Sequence, residues 1–150
     1  MTEASPLDRL LQLALQRRDA RARRLGVLVG EHTEAQAKLA LLHDYRRDYQ
    51  SRLDQATRAG IDGEGLRNFR SFLGQLDQAI AQQAEVNADV LQRLQIVQKQ
   101  WVDDQRRVDS YQTLDERRTD ASSRRDERRS QKLQDEFAAR MRTGVFGGDD

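Results

Sequence analysis

The chain lacks cysteine altogether, has one proline in 150 residues, and draws only 5% of its residues from the aromatics. Without cysteine there is no disulfide, no thiolate metal site and no cysteine nucleophile. The near absence of proline removes the usual interrupter of long helices. No run of 18 apolar residues occurs, so no segment reads as a membrane-spanning helix. Nor is there an excess of one charge. Twenty-six basic and 25 acidic side chains leave a net charge of +1, which gives no global pull towards nucleic acid or anionic lipid. With 37% hydrophobic and 34% charged residues, the composition does not suit a thick globular core.

What is abundant are helix formers. Leu, Arg, Ala, Gln, Glu and Lys together supply 85 of the 150 residues, a composition of long helices rather than sheets. The N-terminus is Arg-rich and amphipathic, but Glu3, Asp8 and Asp19 argue against a transit peptide, so a cytoplasmic chain is expected. Ser5-Pro6-Leu7-Asp8 is a start signal, with Ser5 accepting from an orphan amide and Pro6 at the first helical position. From there apolar residues recur in steps of four and three. Eleven of fifteen seam positions from Leu7 to Ala56 are apolar, and Arg18, Arg21, His32 and Arg46 interrupt them. Such a heptad stripe is that of a coiled coil.

Gly60-Ile61-Asp62-Gly63-Glu64-Gly65 packs three glycines into six residues and predicts a turn. A second stripe follows from Leu66 to Tyr111. Eleven of its fourteen positions are apolar, with Gln83, Asn87 and Asp104 between them. The sequence thus predicts one all-α domain over 1–150, a two-helix antiparallel coiled-coil hairpin. One helix runs from about 6 to 59, a turn covers about 60–65, and a longer, overhanging helix runs from about 66 to 142. Residues 143–150 are expected as a disordered tail. A register in which paired seam positions sum to 122 sets Leu53 opposite Phe69, Tyr49 opposite Leu73, and Leu28 opposite Leu94. Over 115–142, nine basic and seven acidic residues suggest local ion pairs along a solvated helix. Gly26, Gly30 and Gly74 lie inside the predicted helices at a cost of about 0.5–1 kcal/mol each, and Gly26 and Gly30 mark either a flexible or a closely packed stretch.

Chemistry-bearing constellations are few. His32 and His43 fall about 16 Å apart along a helix, too far to share a metal, and no other ligand set has zinc-like spacing. No phosphate loop follows a strand, and no Ser, His and Asp trio has a pocket to sit in. The expectation is a non-enzymatic protein without metal or cofactor. Arg17, Arg18, Arg21, Arg23 and Arg24 form the sharpest basic cluster, read as a solvated arginine face or a dock for an acidic protein surface. Tyr45, Phe72 and Ala79 sit beside the seam near Leu42, Tyr49 and Leu76. Such residues either broaden the core, as in a bundle of more layers, or, in a two-helix structure where aromatic groups there stay partly wet, mark a contact surface. Leu133, Phe137 and Met141, spaced i, i+4 and i+8, form a stripe without an internal partner.

The order of Leu42-His43-Asp44-Tyr45 with Tyr49, Ala59-Gly60-Ile61, Phe72-Leu73, Leu76, Ala79-Ile80 with Gln82, Trp101, Thr113-Leu114-Asp115-Glu116-Arg117, Gln131-Lys132 and Asp135-Glu136-Phe137-Ala138 resembles the FliJ-like coiled-coil components of the bacterial flagellar type III export apparatus. These elements cover most of residues 39–140. The resemblance implies a non-enzymatic, stalk-like partner of the hexameric flagellar export ATPase. It also implies contact with the cytoplasmic part of the export-gate membrane protein, escort of export chaperones, and a cytoplasmic protein held peripherally at the inner-membrane apparatus. Neither nucleic-acid binding nor direct membrane insertion is expected. Carried over, the gate-contact patch is Leu42, Tyr45, Tyr49, Phe72, Leu76 and Ala79. The stripe Leu133, Phe137 and Met141, with Arg17, Arg18 and Arg21, is the candidate ATPase-ring dock. Two other classes stay open: a generic dimeric coiled-coil scaffold, and a basic coiled-coil nucleic-acid-binding protein.

Overall fold

The computed structural model describes residues 4–145. They form two α-helices, α1 over Pro6–Ala59 and the longer α2 over Gly63–Val145, with no strand among the described residues. The fold is all-α, as the two apolar stripes predict. At the start of α1, the Asp8 amide donates to Ser5 Oγ at 3.2 Å while the Ser5 amide donates to Asp8 Oδ2 at 3.1 Å. This reciprocal cap satisfies two of the amides that a helix start leaves without intrahelical partners.

The connection is shorter than the three glycines suggest. Gly60 takes the left-handed conformation at φ +94°, which ends α1 because L side chains there crowd the following carbonyl. Two residues later Asp62 caps α2, its Oδ1 accepting from the Gly65 amide at 2.7 Å. The predicted start near 66 therefore moves to Gly63, because a good N-cap outweighs the modest penalty of glycine in a first turn. Gly65 has a packing reason: a Cβ there would sit 2.9 Å from Asp62 Oδ1 and 3.0 Å from Ile61 Cγ1. At the other end, α2 continues through residues 143–145, where a tail is predicted; residues 146–150 lie outside the described residues.

The chain divides into two compact units, Arg17–Asp103 and Met1–Gln16 with Asp104–Asp150. In the larger unit, inward positions on α1 include 25, 28, 32, 35, 39, 42, 46, 49, 53 and 56, and on α2 66, 69, 73, 76, 80, 83, 87, 90, 94, 97 and 101. Both series alternate steps of three and four, the spacing that keeps one seam facing a partner helix. Leu28 is completely buried, and Ala35, Leu53, Leu73, Leu76 and Val90 are nearly so. The helices run antiparallel in this unit. Tyr49 touches Phe69 and Phe72, Arg46 binds Asp77, and Gln83 Nε2 donates to the Ala35 carbonyl. These pairs sum to 118, 121, 123 and 118, close around the register of 122. The polar interruptions His32, Arg46, Gln83 and Asn87 keep their inward positions at partial burial, and Gln83 also donates to Asn87 Oδ1 at 2.9 Å. A Cβ built at Gly26, Gly30 or Gly74 meets nothing within 4 Å, so close packing does not explain these glycines.

In the smaller unit Val108 is fully buried, with Ala14 and Asp104 almost so. The Arg118 guanidinium reaches the cap of α1, donating to Ser5 Oγ and to Asp8 Oδ1 at 3.1 Å, and also to Asp115 Oδ1 at 2.9 Å. The Ser5 hydroxyl and amide, with Arg118 beside them, hold the Asp8 carboxyl below its ordinary range. From 119 to 137 every residue of α2 is exposed.

Two stability measurements follow from this packing. Leu28→Ala should lower unfolding free energy by about 2–5 kcal/mol, whereas Leu41→Ala, at a position 55% exposed, should shift it by no more than about 0.5 kcal/mol; urea unfolding followed by circular dichroism compares them, and equal effects would contradict the seam. Gly60→Ala should cost about 1–2 kcal/mol through backbone strain alone, since its Cβ meets no atom within 4 Å. A neutral outcome in the same assay would show that α1 does not end in the left-handed conformation.

Candidate protein-docking surfaces

Tyr45 and Tyr49 stand one helical turn apart on α1, which puts them on one face. The Tyr49 ring packs against two phenylalanines of α2, its centroid 4.3 Å from that of Phe72 at a 45° tilt and 5.1 Å from that of Phe69 at 51°. Tilted aromatic pairs of this kind contribute about 0.5–1.5 kcal/mol beyond their buried area, so the cluster is held in place as well as displayed. Depth varies across the expected patch. Leu76 is buried, Leu42, Tyr49 and Ala79 are half-buried, and Tyr45 and Phe72 are exposed at 57% and 40%. The outward surface is therefore Tyr45 and Phe72 over the edge of Tyr49, on a floor that includes Leu76. Phe69, a seam residue outside the expected patch, also packs against the Tyr49 ring; its i−3 spacing from Phe72 is the signal in the sequence that puts the two on one side of α2.

A charged pair lies beside this surface. Arg46 Nε donates to Asp77 Oδ1 at 2.5 Å. The Arg46 guanidinium, by its hydrogen bond first and its charge second, holds the Asp77 carboxyl below its ordinary value of 3.8, and Asp77 in turn raises Arg46. The step pattern of the sequence marks Arg46 only as an interruption of the seam and carries no sign of this link. Further along the same unit, a shallow groove of about 390 Å³ is lined by His32, Gln36, Leu39, Ala40, His43, Asn87, Ala88 and Leu91. His32 is half-buried in its seam position and His43 is exposed.

The other candidates divide between the units. Arg17 and Arg21 are exposed in the larger one, and Arg18 is half-buried there with its guanidinium on Asp19 at 3.0 Å. Leu133, Phe137 and Met141 belong to the smaller one and are 60%, 65% and 59% exposed. No group of three or more potential metal ligands occurs among the described residues, and none of their helices is long and apolar enough to cross a membrane.

Residues 3–143 match the sequence profile of the family described as Flagellar FliJ protein. The chain belongs to the FliJ family. Two FliJ relatives, the Flagellar FliJ proteins of Escherichia coli (strain K12) and Salmonella typhi, are each 31% identical to it over 140 residues, which is 93% of this chain and 95% of theirs. The FliJ resemblance carried by residues 39–140 therefore extends over almost the whole molecule, α1 included.

The Arg46–Asp77 pair sets a pH test. A carboxyl whose folded value is depressed stabilises the fold above its unfolded value and loses that contribution as pH falls through the folded one. Carboxyl-resolved NMR titration should place the Asp77 midpoint below 3.8, and Arg46→Gln should bring it back up towards that value. The pair has no electrostatic role if the midpoint is the same in both proteins.

Proposed function

We propose that this chain is a non-enzymatic, stalk-like component of the flagellar type III protein export apparatus. In this reading it docks in the hexameric export ATPase ring, contacts the cytoplasmic part of the export gate, and escorts export chaperones while held peripherally at the inner membrane. Membership of the FliJ family over residues 3–143 is the observation that carries the reading, and it supports the export-apparatus role most directly.

The side chains add physical support for two separate contacts. Tyr45 and Phe72 expose aromatic surface that stays partly wet in a two-helix unit, and exposed apolar patches of this kind mark partner sites. They would serve the gate, with Leu42, Tyr49, Leu76 and Ala79 shaping the ground beneath them. Leu133, Phe137 and Met141, in the smaller unit, present an i, i+4, i+8 stripe suited to an apolar groove and would serve the ATPase; Arg17, Arg18 and Arg21, in the larger unit, would serve it as a contact of their own. Different residues for different partners make the contacts separable by mutation.

Co-purification with the cognate ATPase and with the cytoplasmic part of the gate tests this. Phe72→Asp should abolish gate binding and leave ATPase binding intact, and Phe137→Asp should do the reverse. Both side chains are exposed, so helicity should be unchanged. Loss of both contacts in either variant, with helicity intact, would refute separate docking surfaces, and failure of the unmodified chain to bind either partner would refute the proposed role.

A further inference from the structure

Over residues 117–132 the exposed part of α2 sorts its charges by face, although Asp135 and Glu136, just beyond, return to the side of the cations. The mixed signs beyond residue 115 predict local ion pairs. At about 100° per residue, however, Arg117, Arg124, Arg125, Arg128, Arg129 and Lys132 all fall within an arc of about 140°. Asp120, Asp126 and Glu127 fall in the opposing arc. All nine side chains are on exposed positions of one unbroken helix. The result is a row of six cations roughly 22 Å long, on a molecule whose net charge is only +1. Leu133, Phe137 and Met141 follow directly, and their stripe is turned roughly 150° from the centre of the basic face.

That arrangement discriminates among anionic partners. A phosphate backbone satisfies the cations but gives nothing to three exposed apolar side chains next to them. A bilayer surface takes a helix whose apolar face runs along the same stretch as its basic face, whereas opposite these cations stand Asp120, Asp126 and Glu127. A wall that surrounds the helix can meet both faces at once. We infer that residues 117–132 of α2 form a basic recognition face for a protein socket that carries carboxylates on the side facing Arg117 to Lys132 and not on the side facing Asp120, Asp126 and Glu127, and whose end takes up Leu133, Phe137 and Met141. This rests on the proposed docking in the export ATPase and names the charge that the ring lining must carry. Opposed charges of this kind speed encounter and select the partner, with a dependence on salt.

The test compares two full-length variants of equal net charge against the purified cognate export ATPase. Arg124→Gln with Arg128→Gln removes two charges from the basic face; Ser123→Glu with Ser130→Glu makes the same change in net charge on the other side. The first pair should weaken binding by about tenfold at low salt and flatten its salt dependence, and the second should change it by less than about twofold. Binding of the unmodified chain should itself weaken as salt rises from about 50 to about 500 mM, over which the Debye length falls from roughly 14 to roughly 4 Å, a readout that needs no variant. Equal effects of the two pairs, or salt-independent binding, overturn the basic face while leaving ring docking standing. No binding by the unmodified chain overturns ring docking and this inference with it. If the arginine pair weakens binding to duplex DNA or to phosphatidylglycerol vesicles and not to the ATPase, the face reads phosphate and the protein socket is wrong.

Discussion

Everything in this molecule depends on burying an apolar stripe that neither helix can hide alone. A helix stripped of its partner keeps its hydrogen bonds but leaves that stripe in water, and most helix stability in proteins comes from covering it. There is no sheet among the described residues and no disulfide anywhere in the chain to take over that task. The burden falls on a few side chains, Leu28 and Val108 most of all. The near-unbroken alternation of three- and four-residue steps is the means by which those side chains stay on one line.

A seam of identical leucines would slide. This one carries Gln83 and Asn87 facing inward, bonded to each other, with Gln83 also bonded to the Ala35 carbonyl. The Gln83–Asn87 bond lies within α2 and survives a slip of α1, so it is the bond from Gln83 to the Ala35 carbonyl that crosses the seam and favours this register, at a cost in stability compared with leucine. The same economy governs the ends. Ser5 and Asp8 satisfy each other's amides, Gly60 takes the one conformation that other residues avoid, and Asp62 starts the return helix. Narrow burial also explains the surface. A two-helix unit cannot hide everything beside its seam, so Tyr45 and Phe72 remain available to a partner without having to be extruded.

Much of this was legible in the order of residues. The helix period, the turn after Ala59, the longer second helix and the family all follow from side-chain spacing and motif order, because a heptad stripe must be covered by another helix and a glycine-rich break between two such stripes lets one chain supply both. Local chemistry was harder to weigh. Three glycines in six residues predict a long turn, yet one aspartate carboxylate on the Gly65 amide starts α2 at Gly63. The step pattern does separate Leu76, in the seam and buried, from Phe72, beside the seam and open.

The sequence by itself determined that the chain is helical, where it turns, which residues face inward, and to which family it belongs, since periodicity and motif order are one-dimensional properties. Only the tertiary structure decided that Arg46 and Asp77 hold one another and that Arg118 comes back to the first cap of α1. Those facts join residues 31 and 110 positions apart, and no local pattern carries a contact between residues that only folding brings within hydrogen-bonding distance.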